Sequence, residues 1–266
     1  ESIVTPAGYS QAIDQQLPKN DVISPQLTWQ LLRSYGFSIA ENYFAADGNQ
    51  LPELSRQVDS PWVVKIHHKE YLKPFAYGDN ARQRWRSVAL NIQSKSQIPT
   101  EVARLNSELK QHFPESEVLG YSIQSMHRAL DNLQISFGIG RDEEVGPFLF
   151  FGGGGSTADI LTDRQVAIPP LNAALARHLI ERSHASKILR ERSDDYANDL
   201  TILSRWMVAI SQLSSQYPTI NGLELNAIRA NDGQYLVLGV AGQTAESMSP
   251  TFKAYPVELE ESIRSH

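Results

Sequence analysis

One lysine interrupts an apolar segment, Trp62-Val63-Val64-Lys65-Ile66. The β-branched residues of this segment predict a buried strand. An ammonium group inside such a strand needs an anionic partner or a route to water, because isolated burial of a charge is costly. Lys65 is therefore a candidate for binding an anion. The alternative is a lysine on an edge strand that faces solvent.

Four consecutive glycines, Gly152 to Gly155, follow the apolar run 148–151. Without side chains, Gly153, Gly154 and Gly155 let the backbone approach a ligand, and successive N–H groups can form an anion-binding concavity. The run is not a Walker A loop, since no lysine precedes Ser156 and the glycine spacing differs. The alternative is a plain glycine hairpin between two strands.

Two oxygen-bearing side chains, Glu224 and Asn226, alternate along a predicted strand and therefore project to the same face. Such a pair can hold Mg²⁺ jointly with nucleotide phosphates, although a solvated strand face would show the same pattern. His67 and His68 are adjacent on a strand and point to opposite faces. We therefore do not expect these histidines to share a ligand.

Composition excludes several classes of protein. The chain has 266 residues, 41% of them hydrophobic, which is enough for one large domain or two packed lobes. With a net charge of -6 and no long basic run, nucleic acid is not an expected partner. The absence of cysteine excludes disulfides and thiolate metal sites and favours a cytoplasmic location. No apolar stretch is long enough to span a membrane, and no signal peptide is visible.

The predicted elements form two lobes. In the first lobe, Ser24-Pro25 begins a helix that ends at Gly36, strands follow at 37–43, 62–66 and 88–92, and an apolar stripe at 98–113 predicts a second helix. The second lobe has three antiparallel strands within 118–151, a helix capped by Asn172, a longer helix that stops before Pro218, and two closing strands around Asn231-Asp232-Gly233. A cleft between an α/β lobe and an antiparallel lobe is where a ligand is expected.

Several motifs follow one another in a characteristic order. They are Ile123-Gln124-Ser125-Met126, Gly138 to Asp142, Gly146-Pro147, Phe151 to Gly155, Ile168 to Asn172, Leu175-Ala176-Arg177, Ser211-Gln212-Leu213 with Pro218, and Leu223 to Asn226. From about Leu27 to about Val240 the chain resembles the ATP-grasp domain of NDP-forming acyl-CoA synthetases. The Pro169-Pro170-Leu171-Asn172 block is most similar to the degenerate copy in bacterial protein lysine acetyltransferases, which carry a GNAT domain.

The resemblance implies an α/β (α+β) ATP-grasp fold with a nucleotide cleft between an α/β subdomain and a mainly antiparallel subdomain. It implies that Lys65 binds ATP phosphate, that Gln124, Ser125 and Met126 form the hinge under adenine, and that Gly153 to Gly155 line the phosphate site. Glu224 and Asn226 become metal ligands for Mg²⁺. CoA and a phosphohistidine relay belong to a separate CoA-binding domain of the full-length protein, expected upstream.

Two positions and one loop depart from the family pattern. An acidic second metal ligand in the last strand aligns with Gly239, a glutamate after the hinge aligns with Gln134, and the loop after Lys65 is rewritten. Lys73, Arg82, Arg84 and Arg86 in that loop are expected to form a solvated basic segment. Removing a carboxylate from a Mg²⁺ site removes charge as well as geometry. Weakened binding of metal-ATP is therefore expected.

Two functional hypotheses remain open at this point, beside a purely structural α/β domain, which the cleft-lining motifs disfavour. The first is a nucleotide-binding module that supports ATP-dependent acyl-CoA formation, and the second is a catalytically degenerate regulatory or scaffold module beside an acetyltransferase domain. The expected domain limits are a linker at 1–24, subdomain 1 at 25–115, subdomain 2 at 116–245 and a polar tail at 246–266.

Overall fold

Two antiparallel sheets organise the protein, which is described here by a computed structural model for residues 10–72, 74, 87–142, 144–155, 163–230 and 232–245. The four-stranded sheet has the order β1 (Asn42–Ala45), β4 (Val118–Ser125), β2 (Trp62–His68) and β3 (Val88–Ile92). The five-stranded sheet has the order β7 (Gln165–Ala167), β6 (Gly146–Gly153), β5 (Ala129–Asp142), β8 (Ile220–Ala230) and β9 (Tyr235–Thr244). Both sheets meet at the short link between β4 and β5.

The four-stranded sheet is covered by two helices, α3 (Leu51–Leu54) and α4 (Ile98–His112). Before α4, Ser94 forms a capping box with Gln97 around a short 3₁₀ turn, which directs the chain into the helix. The α4 residues that repeat every three or four positions are buried against Val64 and Ile66 of β2. The predicted apolar stripe at 98–113 is thus confirmed.

The five-stranded sheet packs one face on helices α5 (Ala173–Glu181), α6 (His184–Arg192) and α7 (Tyr196–Gln216). Asn172 accepts a hydrogen bond from the Leu175 amide at 2.9 Å, so the predicted cap is confirmed. Phe137 of β5 stacks on Trp206 of α7 within this core. Although α7 has 21 residues, no helix in the described ranges is both long and apolar enough to cross a bilayer.

Two segments join a different sheet from the one that the sequence pattern indicated. The strand at 118–126 was predicted in the second lobe, yet β4 lies between β1 and β2 in the four-stranded sheet. The helix at 25–34, here α2 (Pro25–Ser34), was predicted in the first lobe, but Leu31 and Leu32 are buried in the core of the five-stranded sheet. Periodicity predicts the type of an element and not its partner, so these assignments were wrong while the element types were right.

The segment before α2 also packs on the five-stranded sheet. It contains α1 (Gln11–Asp14), and Ile13 and Ile23 are buried. The Ile23 amide donates to the Gly242 oxygen at 2.8 Å. The described part of the expected linker is therefore ordered structure, while an upstream domain stays a prediction. The predicted tail at 246–266 and the basic residues Lys73 to Arg86 lie outside the described residues.

The strands β5 and β8 approach each other closely at Gly138. A Cβ at this position would overlap the backbone oxygen of Leu223 and lie 3.2 Å from the Phe150 ring. We expect Gly138→Ala to lower the free energy of unfolding by about 2 to 3 kcal/mol, because backbone cannot move aside cheaply. The matched variant Gly153→Ala has open space around its Cβ and should change stability by less than about 1 kcal/mol. Urea denaturation measures both values, and equal losses would contradict this account.

Candidate functional site

Lys65 connects the two sheets. It lies in β2 of the four-stranded sheet, and its Nζ donates to Gln124 Oε1 of β4 at 2.9 Å. The same Nζ donates to the backbone oxygen of Leu238 in β9 of the other sheet. Leu238 is the extra residue at the β8–β9 irregularity, since Asn226 faces Gly239 and Ala227 faces Val237. The ammonium therefore lies in the cleft between the sheets, next to the strand position of Asn226.

The ammonium of Lys65 is surrounded by neutral acceptors. Burial lowers the pKa of Lys65 from 10.5 to about 8. Within the described part of the chain, no carboxylate lies within 4.0 Å of its Nζ. The two acceptors described for Nζ are the uncharged carbonyl oxygens of Gln124 and Leu238. An incoming anion would therefore raise the pKa of Lys65 and stabilise the charged form.

The cleft face of the five-stranded sheet carries Glu224 and Asn226. Their neighbours in β8, Leu225 and Ala227, are buried in the helix-covered core, so the two polar side chains share the opposite face as predicted. Ser136 of β5 lies opposite Asn226 and donates to Glu224 Oε1 at 2.9 Å. The face thus presents an amide, a hydroxyl and one carboxylate beside Lys65.

Arg164 adds a second cation to this face. Its Nη2 lies 3.0 Å from Glu224 Oε1, in an ion pair whose side chains are 34% and 17% exposed. The guanidinium lies over the Phe150 ring, with Cζ 4.8 Å from the ring centroid. Phe150 is fully buried on the cleft side of β6. Together, Lys65, Arg164 and Glu224 carry a net charge of +1, which favours an anionic ligand.

The glycine run begins as the end of a strand. Gly153 pairs with Ile135 of β5, and the Gly154 amide donates to the Gln134 oxygen at 2.8 Å. Gly155 has φ +62, and a Cβ there would overlap the Gln134 side chain. The Gly154 N–H is thus occupied by the sheet rather than directed at a ligand. Leu238 on β9 and Gly153 on β6 are separated by three strand spacings. The distance between them across the sheet is therefore roughly 14 Å.

The predicted hinge lies where the chain leaves one sheet for the other. Gln124 is buried between β1 and β2, and its side chain contacts Lys65. Ser125 Oγ donates to the Asp59 oxygen at 2.9 Å, and the Met126 amide donates to the Pro61 oxygen at 2.8 Å. The next residue, His127, has its pKa lowered by burial, with Asp232 opposing and Lys65 adding to that effect.

The two histidines after Lys65 have separate environments. His67 Nε2 contacts Ser122 Oγ at 2.8 Å, whereas His68 lies between Ser116 and Ser87 at 3.0 and 2.9 Å. Burial lowers the pKa of His67 to about 3 and of His68 to about 4. The two imidazole rings therefore contact different side chains. Across the described ranges, no group of three acidic, cysteine or histidine residues could hold a metal ion.

Sequence reasoning missed Arg164, Ser136 and His127. Ser136 could have been found, because it alternates with Gly138 on a strand of visible period. Arg164 gave no signal, because its role depends on the order β7-β6-β5-β8 that brings it to Glu224. His127 follows the hinge motif directly, and only the β4–β5 link shows that it approaches Lys65.

Comparison with known proteins identifies the family. A family model described as an ATP-grasp domain matches residues 17–241, so the chain belongs to the ATP-grasp family. Within it, the chain is similar to NDP-forming acyl-CoA synthetases. Acetate–CoA ligase [ADP-forming] I of Archaeoglobus fulgidus is 22% identical over 208 residues, which cover 78% of this chain and 29% of that protein. The beta subunit of the corresponding ligase I of Pyrococcus furiosus is 22% identical over 201 residues, covering 76% of this chain and 82% of the subunit.

Solved structures share the fold. PH1788 from Pyrococcus horikoshii Ot3 matches with a TM-score of 0.70 and 18% identity, over 89% of this chain and 97% of that one. The dinucleotide forming acetyl-coenzyme A synthetase 1 of Ca. Korarchaeum cryptofilum, in complex with coenzyme A, Ca-AMPCP and HgCl+, matches with a TM-score of 0.64 and 17% identity, over 84% and 93%. None of the relatives named here is an acetyltransferase, so the expected link to a GNAT protein has no support. The chain spans less than a third of the first relative.

Lys65→Met tests the cost of the buried ammonium. We expect the variant to be more stable than the parent at pH 7 by about 1 to 3 kcal/mol, because methionine fills the site without a charge. The pKa of Lys65 is about 8 in the folded protein and 10.5 in the unfolded chain. Between pH 8 and 10.5 the unfolded state therefore binds more protons than the folded state. Parent stability therefore rises relative to the variant over that range.

The control for this experiment is Lys95→Met, at a lysine that is 41% exposed and pairs with Glu53. This variant keeps Lys65, so its stability should rise with pH in the same way as that of the parent. Urea denaturation at several pH values measures all three proteins. A difference between parent and Lys65→Met that does not change between pH 8 and 10.5 would show that Lys65 is not desolvated.

Proposed function

We propose that the cleft between the two sheets binds ATP, with the polyphosphate against Lys65. The observation that carries this proposal is the desolvated ammonium of Lys65, which has only the Leu238 and Gln124 oxygens as described acceptors. Phosphate oxygens would replace these neutral acceptors with charged ones, which form shorter and stronger hydrogen bonds. Membership of the ATP-grasp family supports the same ligand.

The remaining contacts follow from the length of the cleft. We place adenine at the link between β4 and β5, where Gln124, Ser125 and Met126 end the four-stranded sheet. The Met126 side chain is partly exposed, and its flexible thioether suits the face of a base. The phosphates then extend across β8 and β5 toward Gly153, Gly154 and Gly155. In this arrangement the phosphates can approach the backbone closely at the end of β6, because the glycines have no side chains. The Gly154 amide keeps its hydrogen bond to the Gln134 oxygen.

The proposed reaction is ATP-dependent acyl-CoA formation that releases ADP and phosphate. Relatives of this chain are named as ADP-forming CoA ligases or their beta subunits. One structure of the Korarchaeum relative is described with its phosphohistidine segment pointing towards the nucleotide binding site. By analogy, this chain would supply the nucleotide site, and a CoA-binding domain of the same polypeptide or a separate subunit would supply CoA and the histidine.

Magnesium fits this site poorly. Glu224 is the carboxylate identified on the cleft face, and it already pairs with Arg164. Asn226 has Gly239, not an acidic residue, opposite it on β9. Divalent cations such as Mg²⁺ are usually held by more than one oxygen ligand, carboxylates among them. The role of Glu224 and Asn226 as metal ligands stays a prediction from the resemblance.

Removing the charge of Lys65 should weaken ATP binding. We expect isothermal titration calorimetry at pH 7 to show a Kd at least tenfold higher for Lys65→Met, a loss of about 1.4 kcal/mol or more. The variant is expected to stay folded, so the loss reports on the ligand. Lys95→Met removes the same charge at an exposed position and should bind like the parent. Equal affinity of all three proteins would exclude Lys65 from the site.

The pH dependence of ATP affinity gives an independent test. Free Lys65 loses its proton near pH 8, while a bound polyphosphate would keep it protonated. Above that pH, binding must take up a proton, so the parent's affinity should fall several-fold between pH 7 and 9.5. Titrations in two buffers with different ionisation enthalpies measure the uptake. The same affinity at both pH values, without proton uptake, would be incompatible with Lys65 as the phosphate ligand.

A further inference from the structure

The carboxylate on the cleft face is neutralised within the protein itself. Glu224 Oε1 accepts hydrogen bonds from Ser136 and from Arg164, at 2.9 and 3.0 Å. A cation that approached this oxygen would have to displace Arg164 or lie beside a guanidinium of the same sign. Either process is unfavourable, because like charges at contact distance repel. The guanidinium of Arg164 therefore occupies the position next to Glu224 Oε1 that a bound metal ion would need.

Arg164 contacts the cleft face of the five-stranded sheet. Its guanidinium lies on the ring of Phe150, with Cζ 4.8 Å from the ring centroid. The ring in turn lies so close to Gly138 that a Cβ there would be 3.2 Å from it. The cation–π contact with a buried ring and the ion pair with Glu224 together restrict the position of the guanidinium. A guanidinium has five N–H donors in a planar fork, so it can contact Glu224 and a phosphate group together.

We propose that Arg164 supplies the positive charge that a divalent cation supplies in other nucleotide sites, so that this domain binds nucleotide without requiring a divalent cation. This inference rests on the proposed function, because it concerns how the same cleft holds the polyphosphate. Lys65 contacts the phosphates from the four-stranded sheet, and Arg164 contacts them from the five-stranded sheet. Glu224 orients Arg164 and is a positioning residue.

Gly239 allows the converse experiment. It faces Asn226 across the β8–β9 pair, and a Cβ at this position would lie 3.9 Å from Asn226 Cβ and from the Tyr71 hydroxyl. These are ordinary contact distances, and Gly239 is not among the glycines with positive φ. Gly239→Asp can therefore place a carboxylate next to the amide of Asn226 without strain. Two oxygen ligands on neighbouring strands would then be available to Mg²⁺.

The test compares ATP affinity of the full chain in excess EDTA and in excess Mg²⁺ at equal ionic strength, by calorimetry. For the parent we expect the two values of Kd to agree within about threefold. Arg164→Gln should weaken binding at least tenfold in EDTA and regain part of it in Mg²⁺, because Glu224 is released. The matched control Arg177→Gln removes an arginine that pairs with Glu181 on α5 and should match the parent in both conditions.

Gly239→Asp should acquire a tenfold or larger gain in affinity on addition of Mg²⁺. If Arg164→Gln does not fold, the effect of Mg²⁺ on the ATP affinity of the parent and of Gly239→Asp still tests the proposal. Parent binding that is tenfold or more tighter in Mg²⁺ than in EDTA, or unchanged by Arg164→Gln, would overturn the role of Arg164 and leave the proposed ATP site intact. Absence of ATP binding by the parent in both conditions would overturn the proposed function as well.

Discussion

The structure depends on one constraint, the partial burial of the Lys65 ammonium between two sheets. The strand that carries it belongs to one sheet, and the backbone oxygen of Leu238, which accepts its hydrogen bond, belongs to the other. The β8–β9 irregularity makes this contact possible because it adds one residue to β9 beside Asn226. The charge that is removed from water at a cost in free energy therefore lies in the cleft. Because both acceptors described for this ammonium are uncharged, the cleft is prepared to bind an anion.

The electrostatics of the cleft follow from that constraint. Lys65 enters from β2 and Arg164 from the start of β7, so two cations approach the same face from opposite edges. Glu224 lies between these edges on β8, where it orients Arg164 and keeps the net charge small. Gly138 of β5 leaves room for the Phe150 ring, and Phe150 contacts the guanidinium. The charges on this face therefore favour an anionic ligand, in agreement with ATP-grasp membership.

Local signals in the sequence predicted most of the elements. Ser24-Pro25, Asn172 and the stripe of α4 gave correct helix positions, since caps and amphipathic periods are local properties. The strand around Lys65 and the shared face of Glu224 and Asn226 followed from alternation. The resemblance supplied the family, which the comparisons confirm. The individual roles at the nucleotide site stay predictions.

Pairing between distant strands could not be predicted in this way. β4 has the same alternating pattern whether it joins β2 or β5, so its sheet was assigned wrongly. Arg164 lies 60 residues from Glu224, and only the sheet order brings them together. The use of the Gly154 amide by Gln134 also depends on register. Function at this site is therefore encoded by non-local contacts that a single sequence does not reveal.

The most direct measurement is the pKa of Lys65, by NMR of protein labelled with ¹³C at lysine Cε and assigned with Lys65→Met. The pKa of Lys65 is expected at about 8 in the free protein. On saturation with ATP it should move upward by at least one unit, because a polyphosphate next to the ammonium favours the charged form. A pKa that is the same with and without ATP, while ATP is bound, would contradict the claim that Lys65 holds the phosphates.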